Sequence, residues 1–162
     1  MMTAMKFAHE LVYPADAADV YTMLGERQFR AEVCRAQGAT HCDIDVTGNG
    51  AGLEVVVEQR RPTQGVPRFA AKFVGEEIRI RTTELWTGPG TARLEVCVPG
   101  RPGRMDGGIR LTARDGQTIQ SVTGEITVGI PLLGARLEQL IAGVLVDALD
   151  VEQGVGRDWL SR

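Results

Sequence analysis

Serine is almost absent from this chain: Ser121 and Ser161 are the only two, and neither sits on a strand–turn–helix nucleophile elbow. A serine-triad hydrolase of that design is therefore excluded. Lysine is as scarce, with Lys6 and Lys72 alone among eighteen basic residues, an arginine bias that we read as genomic rather than functional. Excess positive charge is also missing. Acidic residues number twenty-one, the net charge is −3, and Arg60–Arg61, Arg79/Arg81 and Arg101/Arg104 fall in separate segments. Without a basic face no nucleic-acid partner is expected. The three cysteines, Cys34, Cys42 and Cys97, are odd in number, which does not suit a disulfide framework and points to reduced, buried structural thiols. The opening MMTAMKFAHEL has one lysine and no apolar run, so no secretory signal is expected. The longest apolar-plus-glycine run, Leu140–Val146, falls far short of the roughly 20 residues that span a membrane. These absences lead to the expectation of a cytoplasmic protein.

What is present fits one domain over residues 1–162, with 43% hydrophobic and 24% charged residues. MKFAHELVY alternates, with Met5, Phe7, His9, Leu11 and Tyr13 on one face, which predicts a half-buried first strand. Pro14 ends it, and Asp16 is placed to cap a short helix through Leu24. Gly25 separates that helix from a second, about Arg27 to Gln37, closed by Gly38. Six further strands are expected at about His41–Thr47, Leu53–Arg61, Glu77–Thr87, Ala92–Pro99, Ile109–Arg114 and Gln117–Gly129. Gly48-Asn49-Gly50, Gly88-Pro89-Gly90 and Asp115-Gly116 supply hairpin turns, and VPRFAAKFVG in the Pro62–Gly75 connector allows a helical turn or two.

The stretch from Ile130 to Arg162 is helical. Leu137, Leu140, Ile141, Val144, Leu145, Ala148, Val151, Val155 and Trp159 form a continuous apolar stripe, from about Leu132 to at least Gln153, with Pro131 near the first turn. A seven-stranded antiparallel sheet cannot leave its inner face wet, and this helix is the partner available to it. The expected fold is α+β: a curved antiparallel sheet of seven strands wrapped around a long C-terminal helix, with two short helices between strands 1 and 2. Such an arrangement commonly leaves a cavity beneath the helix.

That order resembles the helix-grip fold of the START-like (SRPBCC) superfamily, which includes polyketide-cyclase and lipid-transfer families. HELVYPADAADVYTML resembles the superfamily's opening. Glu84-Leu85-Trp86, GRPGRMDGG at 100–108, GEITVGIPLLGARLEQLI at 124–141 and the terminal Asp158-Trp159-Leu160 resemble one bacterial family within it, domain of unknown function 2505. The resemblance implies a fold and a cavity and carries over no catalytic residue.

The residues expected at such a cavity are Phe7, His9 and Leu11 from the first strand, Trp86 from the fourth, and Leu137, Ile141, Val144 and Leu145 from the last helix. His9 could act as a general base or orient a ligand, although an imidazole satisfied by a neighbouring carbonyl is the commoner outcome. Glu84 would need an arginine or hydroxyl partner if it points inward, and a shift of one residue in register would bury Leu85 instead. A structural ion pair is preferred there over catalysis. Asp43 and Asp45, near Glu54 and Glu58, read as outward strand charges, and His41-Cys42 with Cys34 fits no standard zinc spacing, so no metal is expected. GNGAG at 48–52 joins strands rather than entering a helix, which disfavours a phosphate cradle, and no cofactor is implied. Arg101 and Arg104 could flank a cavity mouth and meet an anionic headgroup, although a solvated turn is preferred. Val146 and Leu149, beside Leu133 and Ala142, widen the helix's apolar surface, to be covered by flanking strands or by a homodimer contact; Gly143 in the helix interior is unexpected. The leading expectation is a binder of a hydrophobic small molecule or lipid. The alternative is a cyclase-, aromatase- or hydrolase-like enzyme, disfavoured because the helix's inward face looks wholly apolar.

Overall fold

The computed structural model describes residues 4–49, 51–63 and 65–162. Met1–Thr3 of the opening segment, Gly50 of the first expected turn and Gln64 of the connector lie outside the described residues. The elements are β1 (Met5–Tyr13), α1 (Ala17–Leu24), α2 (Arg27–Ala36), β2 (His41–Asn49), β3 (Gly52–Pro62), α3 (Arg68–Val74), β4 (Glu77–Trp86), β5 (Thr91–Cys97), β6 (Arg104–Arg114), β7 (Gln117–Thr127) and α4 (Gly134–Leu160). All seven strands form one antiparallel sheet in the order β1-β7-β6-β5-β4-β3-β2. Its curved inner face holds α4, the helix-grip arrangement.

Local chemistry accounts for most boundaries. The Asp16 carboxylate accepts the Asp19 N–H at 2.8 Å and opens α1. Asp115 and Gly116 both take positive φ, 52° and 77°, as the tight β6–β7 hairpin requires. Two boundaries differ from expectation. Strand β6 begins at Arg104 rather than Ile109, so RMDGG of the supposed turn is strand. Gly107 stands opposite Gly124 on β7, and a Cβ on either would collide with the backbone of the other strand. The glycines there permit a close strand approach inside the sheet; they do not mark a turn.

Helix α4 begins two residues later than expected because Leu132 has φ of 69°, outside helical space, which leaves Pro131 in the preceding turn. It also continues past Gln153 to Leu160, 27 residues or about 40 Å. Its last turns are held by Trp159, edge-on to Phe29 at 5.8 Å, and by Gly156, where a Cβ would overlap the Tyr13 ring. Gly143 meets nothing that a Cβ would touch, so no close approach explains it.

The strand β1 is a sheet edge, and α4 covers it. Gln153 Oε1 accepts the Val12 N–H at 2.7 Å, Arg157 Nε donates to Val12 O at 3.1 Å, and Asp150 lies 2.8 Å from His9 Nε2. Positions 150, 153 and 157 share one helix flank, and from it Gln153 and Arg157 occupy the Val12 backbone groups that would otherwise pair with a foreign strand, while Asp150 meets the His9 side chain. At the other edge, Asp43 and Asp45 of β2 are exposed, as expected.

Apolar packing falls into two clusters. The larger joins α1, α2, the sheet and the C-terminal half of α4, and includes Leu11, Tyr13, Phe29, Val55, Trp86 and Ile126. The smaller groups Ala70, Val128 and Leu137 with Phe69, Phe73 and Leu140, where α3 meets the N-terminal half of α4. Val146 and Leu149 pack against the larger cluster and Leu133 against the smaller, so the residues that widen the apolar surface of α4 are partly covered within the chain, while Val144 stays exposed.

Candidate functional site

A pocket of about 380 Å³ lies between the inner face of the sheet and α4. Val57, Leu94, Met105 and Ile109 of the sheet face Leu137 and Ile141 of α4 across it. One end is bordered by exposed residues, among them Pro67, Arg101 and Val144, and is the open end. The other ends among buried polar side chains: Arg30 of α2, Gln59 of β3, Glu84 of β4, Gln120 of β7 and Glu152 of α4.

Arg30 and Glu84 form the frame of that blind end. The Arg30 Nη1 and Nη2 groups donate to the two Glu84 oxygens at 2.9 and 2.8 Å, a bidentate geometry that suits two charges out of water. Arg30 Nε donates to Leu24 O at 2.8 Å, and Trp86 Nε1 donates to Glu84 Oε1 at 2.9 Å. Glu84 is therefore the inward residue, in a structural ion pair, while Leu85 is 41% exposed.

Among the described residues Glu152 has no cation bonded to it, and its one hydrogen-bond partner is Gln120 Nε2, at a long 3.5 Å from Oε2. Burial pushes its carboxyl up from the ordinary value near 4.5 to about 7, opposed by the field of Arg30, reinforced by Glu84 and opposed weakly by Gln120. Beside it the Tyr13 phenol is buried and, among the described residues, without a partner, and desolvation raises its pKa, with the Glu152 charge adding to the effect. The inward face of α4 is thus not wholly apolar: Glu152 lines the pocket and Glu138 is buried nearer the N-terminus, accepting the Val128 N–H at 3.2 Å.

Of the residues expected at the cavity, Phe7, Leu137, Ile141, Val144 and Leu145 line it. His9, Leu11 and Trp86 do not. His9 is on the face of β1 turned to α4, but it emerges beside the helix flank and meets Asp150. Leu11 is fully buried in the larger cluster. Trp86 packs edge-on to Tyr21 of α1 at 5.6 Å, behind Glu84. Arg101 and Arg104 border the pocket, although Arg104 is matched by both Asp106 oxygens at 2.9 Å.

The cysteines sit apart in environment: Cys34 is buried, and Cys42 and Cys97 are half-buried. Cys34 and Cys42 Sγ atoms lie 2.7 Å apart, and burial raises the Cys34 thiol pKa. Among the described residues no group of three or more His, Cys, Asp or Glu side chains could hold a metal ion, and no helix is long and apolar enough to cross a membrane.

The polar residues missed from sequence left signals in the pattern. Gln59 continues the inward alternation Leu53, Val55, Val57, and Gln120 that of Thr118 and Val122. Glu152 occupies the stripe position between Ala148 and Val155, where a charge is out of place.

A curved seven-stranded sheet gripping a long terminal helix defines the START-like class, and solved structures share it. The Zhui aromatase/cyclase from Streptomyces sp. R1128 superposes with a TM-score of 0.68 at 15% identity, covering 99% of this chain and 95% of that one. A START superfamily protein from Mycobacterium smegmatis gives 0.62 at 12% identity, covering 96% and 98%, and a protein from Thermus thermophilus gives 0.66 at 13%, covering 95% of each. At these identities the likeness is one of fold. Among curated proteins no sequence match is found. The family model described as "protein of unknown function (DUF2505)" matches residues 8–160, and the chain belongs to that family.

Proposed function

We propose that the protein binds a hydrophobic small molecule or lipid in the pocket between sheet and α4, in a cytoplasmic setting. The observation that carries this reading is the composition of the pocket: apolar side chains from six strands and α4 along its length, with buried polar groups few and Arg30, Gln59, Glu84, Gln120 and Glu152 among them. Ligand sites have this composition, with apolar walls for affinity and sparse polar groups for orientation. Phe7, Leu137, Ile141, Val144 and Leu145 are its proposed contacts on β1 and α4.

The test is saturable uptake of the apolar dye N-phenylnaphthylamine, read by fluorescence, in the native protein and in Ile141→Trp. Ile141 lines the lumen and is only half-buried, so a larger side chain there fills space without breaking the core. Saturable binding weakened at least tenfold by the substitution is expected. Absence of saturable binding, or binding unchanged in Ile141→Trp, overturns the reading.

Glu152 favours a second reading, an enzyme of the cyclase, aromatase or hydrolase kind. A carboxyl titrating near 7 inside an apolar pocket is matched to general acid–base work at neutral pH. Turnover abolished by Glu152→Gln with dye binding retained would establish it; ligand recovered chemically unchanged after prolonged incubation would exclude it.

A further inference from the structure

Gln59, Gln120 and Tyr13 carry the three buried side-chain polar atoms without a partner among the described residues, and the two glutamines line the pocket. The orientation of Gln59 is fixed by a chain of amides. Gln37 Nε2 donates to the carbonyl of Ala148 at 2.9 Å, which turns Gln37 Oε1 toward β3. That oxygen accepts from Gln59 Nε2 at 3.1 Å, so Gln59 Oε1 is left as the free acceptor. Flipping the Gln59 amide would set two oxygens against each other, so the backbone carbonyl at one end dictates an unmet acceptor at the other. Gln120 Nε2 faces Glu152 at 3.5 Å, and its Oε1 has no donor among the described residues.

The charges of this end limit what can supply the missing donors. Arg30 and Glu84 neutralise each other in their bidentate pair, and the two Glu84 oxygens already accept three hydrogen bonds. Glu152 adds negative charge, and half-buried Arg61, whose Nη1 donates to Gln37 O at 3.4 Å, adds positive charge, so an ionic head of either sign meets a like charge as well as an opposite one. A neutral group with an O–H satisfies an orphaned acceptor and adds no charge.

We infer that the orphaned acceptors of Gln59 and Gln120 receive the hydroxyl head of an otherwise apolar ligand and select alcohols over ethers. This rests on the ligand-binding reading above. The ligand enters apolar-walled space bordered at the open end by Val144 and Arg101, with its hydroxyl leading toward β3 and β7.

The test is competition for bound N-phenylnaphthylamine at neutral pH by dodecanol and undecyl methyl ether, which match in length and differ in head. Dodecanol should displace the dye at a concentration at least tenfold below the ether, the order of one hydrogen bond to a buried acceptor. In Gln59→Leu that preference should fall below threefold, through weaker alcohol binding with the ether unchanged. Equal displacement by alcohol and ether overturns the hydroxyl-head inference while the cavity reading stands. Failure of the dye itself to bind saturably overturns the cavity reading. If Gln59→Leu does not fold, the comparison of the two ligands on the native protein decides alone, and Gln120→Leu provides the second variant.

Discussion

Replacing Glu152 with glutamine keeps the shape of the side chain and removes its titration, which isolates the stability cost of holding a carboxylate in this core. The native pKa of about 7 lies above the ordinary value near 4.5. Below pH 4.5 native and unfolded chains both carry the proton, and Glu152 contributes no pH dependence. Between 4.5 and 7 the native state alone retains it, so stability falls as pH rises, by up to about 1.4 kcal/mol per pH unit. Above 7 the full penalty is present, about 3 kcal/mol for a displacement from 4.5 to 7. The groups facing Glu152 are Arg30, Glu84, Tyr13 and Gln120, and glutamine at 152 leaves all four in place. Urea unfolding of native protein and Glu152→Gln at pH 5, 6, 7 and 8 measures the difference, with every other titrating group common to both. Near pH 5 the two should agree within about 1 kcal/mol. By pH 8 the variant should be more stable by about 3 kcal/mol, roughly 6–12 °C in Tm for a domain of this size. A difference that does not change with pH would refute desolvation of Glu152 as the dominant effect. A variant less stable at pH 8 would show that Arg30 holds the carboxylate ionised.

Two further perturbations test other parts of the same structure. Arg30→Met strands the buried Glu84 carboxylate and removes the donor to Leu24 O, so a loss of about 3–5 kcal/mol is expected in denaturant unfolding. The double variant Arg30→Met/Glu84→Met should recover most of that loss, and a single variant within about 1 kcal/mol of native would contradict the burial of the pair. Gly156→Ala and Gly143→Ala should move Tm in opposite directions although both occupy the interior of α4. At 143 a methyl meets nothing and helix propensity favours alanine by up to about 1 kcal/mol, whereas at 156 it strikes the Tyr13 ring and costs about 1–3 kcal/mol. Equal shifts would mean that the Tyr13 contact is not made.

The order of elements was legible because each rests on local chemistry: alternation in MKFAHELVY, the Asp16 cap, the Asp115-Gly116 turn and the apolar stripe of the last helix. The start of β6 was not, because Gly107 and Gly124 act only as a pair across strands, and alone each looks like a turn residue. The site divides in the same way. Alternation identified the face of β1 turned to the helix, but where α4 crosses that face is a tertiary fact, and it separates Phe7 in the pocket from His9 beside Asp150. The need of an inward Glu84 for a partner followed from its charge. That the partner is Arg30, 54 residues earlier on a helix of mostly polar composition, did not.

The distribution of buried polar groups bears on whether the pocket is functional or a packing defect. Unmet polar atoms are unfavourable wherever they are buried, and a sheet of seven strands has many inward positions at which they could fall. Among the described residues two of the three, on Gln59 of β3 and Gln120 of β7, line one pocket, together with a carboxyl on α4 whose pKa burial raises. Leucine at 59 or 120 would line that pocket with apolar contact, and an uncharged residue at 152 would remove a penalty of about 3 kcal/mol at pH 8. Three elements distant in sequence, β3, β7 and α4, each place a polar side chain in the lining of one pocket, against the stability of the free protein. Their common beneficiary is a bound molecule with a polar head, which is why the cost of Glu152 in the unliganded protein and the preference for a hydroxyl head should be lost through substitutions in the same lining.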